Sequence, residues 1–199
     1  MTNPKINSIL DEGNRLFLQG KLEQAIVYYD KILTQDPKYI SSLNNKGYAL
    51  SKLKDFSNAM KCYDSALDIC PTDLSVLINK ISSFRKQGNL IEALSICDDI
   101  LKNNLNYNIV LYHKERILFS MNKFDESISC CNSILEDYPD NGDVLFDKAS
   151  NYVMLSNYDT ALDLLERAIS KGIQYKIKAK KSKSFENLSN NIRFQNLIS

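Results

Sequence analysis

The residues able to do chemistry are few, and their spacing is unhelpful for catalysis. The chain has one histidine, His113, so a histidine-based metal cluster and most histidine-dependent triads lack raw material. Its five cysteines are Cys62, Cys70, Cys97, Cys130 and Cys131. Their number is odd and no C-x-x-C pair occurs, whereas structural zinc sites rely on paired thiolates or histidines at short spacing. Cys130 and Cys131 are adjacent, which on a helix would turn them about 100° apart. The cysteines therefore read as reduced thiols used as small apolar packing groups, in keeping with a reducing compartment. The six glycines are scattered, with neither G-x-x-x-x-G-K nor G-x-G-x-x-G to cradle a phosphate. Acids such as Asp98-Asp99 and Asp137…Asp140 fit helix ends and solvated faces. The expectation is a non-enzymatic protein with no metal and no cofactor.

Length and charge narrow the remaining classes. At 199 residues, 44% hydrophobic and 25% charged, the chain falls in the ordinary soluble range, which argues against wholesale disorder. No apolar run approaches the roughly 18 residues a membrane span needs. The start, MTNPKINSILDEG, has no basic-then-apolar pattern, so the expected location is cytoplasmic. Net charge is +1 but uneven: residues 176–199 hold six cations against Glu186, which leaves about −4 for the rest. A negative body is a poor nucleic-acid surface. The basic segment reads as a solvated lysine face on a terminal helix. A contact with RNA or an anionic membrane is the alternative.

What must position any working surface is a repeat. Aligned on a period of 34 from Ile6, five units follow without insertion: 6–39, 40–73, 74–107, 108–141 and 142–175. The fourth column reads Ile9, Leu43, Leu77, Leu111, Leu145, and the twentieth reads Ala25, Ala59, Ala93, Ser127, Ala161. Each unit predicts two amphipathic helices. They are separated at Gly20-Lys21, Lys54-Asp55, Gly88-Asn89, Asn122-Lys123 and Ser156-Asn157. Gly and Asn at these breaks tolerate the left-handed conformation that ends a helix. Asp36-Pro37, Cys70-Pro71 and Tyr138-Pro139 stop the second helix. The small residue of the twentieth column, with Gly13 and Gly47 in the eighth, lets antiparallel helices approach closely.

The run Leu43…Gly47-Tyr48…Leu50…Phe56…Ala59…Tyr63…Ala66…Pro71 resembles the tetratricopeptide repeat, and the resemblance extends over residues 6–175. It implies an all-α, right-handed superhelical solenoid of antiparallel helix hairpins, forming one domain over 1–199. Residues 176–199 resemble the basic capping segment of such arrays, with Phe185, Leu188, Phe194 and Leu197 covering the last apolar face.

Two columns depart from the pattern together. The eighth reads Gly13, Gly47, Ile81, Glu115, Ala149, and the twenty-fourth reads Tyr29, Tyr63, Cys97, Cys131, Leu165. Where the first grows the second shrinks, which is volume compensation. Glu115 is the odd member, because a carboxylate buried unpaired at a helix crossing costs several kcal/mol. The expectation is a locally shifted helix with Glu115 reaching solvent; the alternative is a partner or water. Leu105 stands where the other units place proline, so the bend after the third unit is expected to differ.

The resemblance further implies a concave groove lined by the first helix of each pair. Its candidate contacts are Asn14, Asn45, Tyr48, Lys52, Asn79, Arg85, Lys86, Tyr112, His113, Arg116 and Phe119. Asn45 and Asn79 can both donate and accept, and so can hold a peptide backbone. Equally, they and His113 can be plain solvated polar residues. Lys52, Arg85, Lys86 and Arg116 beside aromatic groups favour an acidic partner with an apolar anchor, while Asp143 and Asp147 make the last unit acidic. The clamp that relatives use for acidic heat-shock chaperone C-termini would fall on Leu10, Asn14, Asn45, Ser75 and Asn79. All three of its cations are missing, which argues against such a partner. Two function classes remain: a scaffold or adaptor that binds an extended peptide or partner segment, as a monomer or weak homo-oligomer, and a self-assembling module that oligomerises through end or convex surfaces.

Overall fold

The computed structural model describes residues 4–103 and 108–199, with the side chains of Pro4 and Asn103 excepted. Leu105 lies outside the described residues. The helices are α1 Pro4–Leu18, α2 Leu22–Gln35, α3 Ile40–Lys52, α4 Phe56–Ile69, α5 Leu74–Gln87, α6 Leu90–Asn103, α7 Asn108–Ser120, α8 Phe124–Asp137, α9 Gly142–Met154, α10 Tyr158–Lys171, α11 Gln174–Lys181 and α12 Ile192–Ile198. A 3-10 turn over Lys183–Leu188 joins the last two. No strand occurs among the described residues. The chain divides into two compact units, Met1–Ile96 and Cys97–Ser199, with the division inside α6.

Each first helix ends in the same way. Gly20, Lys54, Gly88, Asn122 and Ser156 all adopt positive φ, between 60° and 88°. The next amide then donates five residues back, as in Lys21 N–H to Leu16 O at 3.0 Å and Asp55 N–H to Leu50 O at 2.9 Å. The same bond recurs from Asn89 to Phe84, Lys123 to Leu118 and Asn157 to Tyr152. This closure satisfies carbonyls the helix leaves open. Lys54 and Ser156 pay about 1 kcal/mol for a conformation that glycine adopts freely, so hairpin geometry overrides residue preference there. Second helices stop in extended backbone at Asp36 and Cys70, each directly before proline.

The small-residue column is the tightest part of the core: Ala25, Ala59, Ala93, Ser127 and Ala161 are all fully buried. In the first unit, Leu16, Tyr29 and Ala49 pack around Ala25, while Leu43, Leu50, Tyr63 and Val76 pack around Ala59. A β-carbon on Gly13 would sit 2.8 Å from Tyr29 Cε1, and one on Gly47 would sit 2.7 Å from Tyr63 Cε1. In these two hairpins a large tyrosine faces a residue with no side chain. In the second unit, Leu145, Ala149, Leu162 and Leu165 form a core that also takes in Phe185, Leu188 and Phe194, with Leu197 at its edge.

Glu115 corrects the sequence-based expectation. It is 2% exposed and does not reach solvent. Its Oε1 accepts from Ser127 Oγ at 3.1 Å and from Asn151 Nδ2 at 3.3 Å, so α7, α8 and α9 meet on one carboxyl group. It stands near Cys131, whose buried thiol is pushed up by desolvation and then by the Glu115 charge. The pairing of Glu115 with cysteine instead of tyrosine leaves room for the carboxyl side chain. Burial likewise raises the thiols of Cys97, to about 12, and Cys130, to about 11, which makes them poor nucleophiles.

A periodic ion pair links successive repeats. Lys46 meets Asp30 at 2.6 Å, Lys80 meets Asp64 at 2.6 Å, and Lys114 meets Asp98 at 2.7 Å. Each joins the seventh column of one repeat to the twenty-fifth of the repeat before it. The row breaks at Lys148, because its partner column holds Asn132. It resumes at Glu166, where Arg193 of α12 binds both Asp163 at 2.7 Å and Glu166 at 2.9 Å. Asn132→Asp is therefore expected to stabilise the chain by about 0.5 kcal/mol. Urea unfolding at low and high salt checks this: a gain absent at low salt, or unchanged at high salt, would refute the pairing.

Candidate functional site

The sequence-predicted contact residues fall in both units, and their environments differ. In the first unit they lie on the adjacent first helices α1, α3 and α5. Asn14 is the hub. Its Oδ1 accepts from the Tyr29 hydroxyl at 3.0 Å and from Asn45 Nδ2 at 2.8 Å, which ties α1 to α2 and α3. One repeat on, Asn79 Nδ2 donates to Asn44 Oδ1 at 2.9 Å. Asn45 and Asn79 thus each spend one N–H on a neighbouring helix and keep a second N–H and a carbonyl oxygen. Behind them, Ser83 Oγ donates to Ser51 Oγ at 2.9 Å in the buried α3–α5 contact.

Asn14 and Asn45 border a cleft of about 210 Å³, whose lining also takes in Phe17, Leu18, Tyr29 and Tyr48. Phe17 and Tyr48 pack ring to ring, with centroids 5.2 Å apart. Leu18 is 84% exposed beside the cleft. Lys52 and Lys86 reach the same tyrosine, with Nζ atoms 5.6 Å and 5.5 Å from the Tyr48 ring centroid. Partial desolvation lowers the Lys86 ammonium, and the charges of Lys52 and Arg85 lower it further. Neither Lys52 nor Lys86 has an ion pair among the described residues.

In the second unit the candidate residues are held by their own neighbours. Arg116 lies over the Tyr112 ring, 4.1 Å from its centroid, and hydrogen-bonds the Tyr112 hydroxyl. It also reaches Asp147 at 3.2 Å. Burial raises the Tyr112 phenol to about 12. Lys178 of α11 then sits 3.6 Å from both Asp143 and Asp147, with its ammonium 4.3 Å from the Phe146 ring centroid. The acids that made the last repeat look open to a basic ligand are thus neutralised from within the chain. Phe119 packs edge-on against Phe124, centroids 5.6 Å apart, and His113 stands edge-on to Tyr112 at 6.5 Å.

Sequence reasoning passed over Asn44 and the outward reach of Tyr29. The signal was present: a tyrosine in the twenty-fourth column lies opposite glycine, so its hydroxyl extends past the crossing to the ninth column. Tyr63 makes the same approach but meets Tyr48 in place of asparagine, and its buried hydroxyl has no hydrogen-bond partner among the described residues.

No described helix is long and apolar enough to cross a membrane, and no cluster of His, Cys, Asp and Glu suited to a metal occurs among the described residues. Residues 40–73 match the family model of the tetratricopeptide repeat. Among solved structures, a tetratricopeptide repeat protein from Parabacteroides merdae is similar with a TM-score of 0.76 at 19% identity, over 99% of this chain and 84% of that one. YrrB, described as a TPR protein with an unusual peptide-binding site, is similar with a TM-score of 0.65 at 20% identity, over 87% of this chain and 91% of its own. MamA is similar with a TM-score of 0.68 at 18% identity, over 89% of this chain and 96% of its own. At such identities the likeness speaks for the fold. One repeat of this chain thus matches the tetratricopeptide repeat model, and the helical-hairpin array it belongs to has the fold of tetratricopeptide repeat proteins.

Proposed function

We propose that the chain is a non-enzymatic scaffold or adaptor that holds an extended segment of a protein partner against the first-helix face of its repeats. Arrays of stacked helical repeats generally serve as interaction surfaces, since each repeat adds one strip of side chains to a continuous face. The observation that carries the reading is the first-unit cleft. It combines an apolar floor at Phe17 and Tyr48 with the Asn45 amide, which retains hydrogen-bonding capacity, and Asn79 on α5 keeps the same capacity one repeat on. An apolar pocket ringed by a few convergent polar groups is the usual form of a recognition site. YrrB, similar in fold, is described as binding peptide, which supports the same use here. In the second unit Arg116, Asp147 and Lys178 satisfy one another, so this reading places recognition mainly on α1, α3 and α5.

The test is affinity purification from the native cell with two baits, the wild-type chain and Asn45→Ala/Asn79→Ala/Arg85→Ala. Proteins retained by the first and lost from the second, with the variant's helical circular dichroism intact, are the expected result. Equal recovery on both baits would sink the reading. Light scattering during size exclusion checks the self-assembling alternative, which predicts a mass that grows with concentration.

A further inference from the structure

We infer that Lys52, Lys86 and the Tyr48 ring form an anion seat beside the first-unit cleft, and that the seat and the cleft together select a peptide carrying an acidic side chain two positions from a large apolar one. This rests on the scaffold reading above and deepens it by naming the chemistry of the partner.

The two lysines occupy the thirteenth column of successive repeats, on α3 and α5, and converge on one ring. Like charges brought together cost free energy unless something offsets them. An exposed cation–π contact contributes only about 0.5–1 kcal/mol and neutralises no charge. Elsewhere the chain does supply counter-charges: Lys46, Lys80 and Lys114 each have an aspartate within 2.7 Å. Lys52 and Lys86 have none among the described residues, and desolvation, then the charges of Lys52 and Arg85, lower the Lys86 ammonium. A carboxylate from outside is the complementary group.

Tyr48 is shared by both features. One part of its surface lines the 210 Å³ cleft with Phe17 and Leu18, and the lysine ammoniums stand about 5.5 Å from its centroid. In an extended peptide alternate side chains share a face and lie roughly 7 Å apart. An apolar side chain in the cleft therefore brings the residue two positions away to the lysines. Asn45 and Asn79, with an unused N–H and carbonyl each, lie on the same helices to meet the backbone between them.

The probe is a set of short capped peptides on a Gly/Ser background. Each carries one leucine and one glutamate at adjacent, alternate or wider positions, in both orders, with glutamine and lysine counterparts of every glutamate. Fluorescence anisotropy is read at low and high salt for the wild-type chain and for Lys52→Glu/Lys86→Glu, whose exposed sites leave the helices intact by circular dichroism. The expected result is that alternate-position glutamate peptides bind about three- to tenfold tighter than their glutamine counterparts and lose that margin at high salt. The charge-reversed protein is expected to prefer the lysine counterparts. Equal binding of glutamate and glutamine members, or an unchanged preference in the reversed protein, would overturn the anion seat while leaving the scaffold reading standing. Failure of every peptide to bind the wild-type chain would overturn both.

Discussion

Glu115→Gln is expected to stabilise the chain by about 3 kcal/mol near pH 8 and by little near pH 4. Burial raises the Glu115 carboxyl from 4.5 to about 7, and the Asp147 charge adds to the shift; hydrogen bonds from Ser127 and Asn151 and the Arg116 charge oppose it. Cys131 and Tyr112 also face the group. Between those two values the folded chain holds a proton that the unfolded chain has released. The associated stability is complete below pH 4.5 and is lost as pH rises through about 7. Glutamine keeps the shape, carries no charge and brings an N–H donor. Glu115 Oε2 and Asn151 Oδ1 are both buried and lack partners among the described residues, so a proton or an amide hydrogen on the first side chain offers a donor to the second. Denaturant unfolding across pH, wild type against variant, measures the difference. A difference that does not change between about pH 4 and pH 8 would show that the Glu115 carboxyl titrates alike in the folded and unfolded chain, and would refute the raised value. Carbon shifts of the Glu115 carboxyl, titrating near 7, give an independent check.

The second large effect lies at the glycine–tyrosine crossings. Gly47→Ile is expected to cost about 3 kcal/mol, because its β-carbon alone would stand 2.7 Å from the Tyr63 ring and the added branches overfill the crossing. Tyr63→Cys is expected to cost a similar amount, about 3–4 kcal/mol, by leaving a cavity where a fully buried ring stood. Together they are expected to cost about 2 kcal/mol less than their sum. The third repeat carries this very combination, Ile81 and Cys97, with both residues fully buried. A double-mutant cycle by chemical denaturation decides it. Strict additivity would show that the two columns do not share one volume, and the compensation read from the sequence would fail.

Much of the fold was legible because each repeat is a local object. The helices, their breaks and the proline stops depend on residues a few positions apart, so a period of 34 in the sequence becomes a period in the backbone. The buried column at Ala25, Ala59, Ala93, Ser127 and Ala161 follows from the same local argument, since only small side chains let paired helices touch. The left-handed turns at Lys54 and Ser156 were legible from the columns they occupy and not from their own side chains. The lysine–aspartate row was equally readable in the columns and went unread, because its partners lie sixteen positions apart, beyond any single-helix pattern.

Pairing across helices was decided by tertiary structure. The sequence placed Glu115 at a close crossing, but only the meeting of α7, α8 and α9 brings Ser127 and Asn151 to it, and so keeps it buried instead of turned to solvent. It placed basic residues along one face without distinguishing them. Contact geometry separates Arg116, which Tyr112 and Asp147 hold, from Lys52 and Lys86, which share a ring and no acid among the described residues. Charge and burial are properties of what surrounds a side chain, and those surroundings come from helices far apart in the sequence. The chemistry-poor composition and the unbroken repeat were determined by the sequence alone. Which charges are already satisfied, and which stand open to a partner, was decided only when the helices packed.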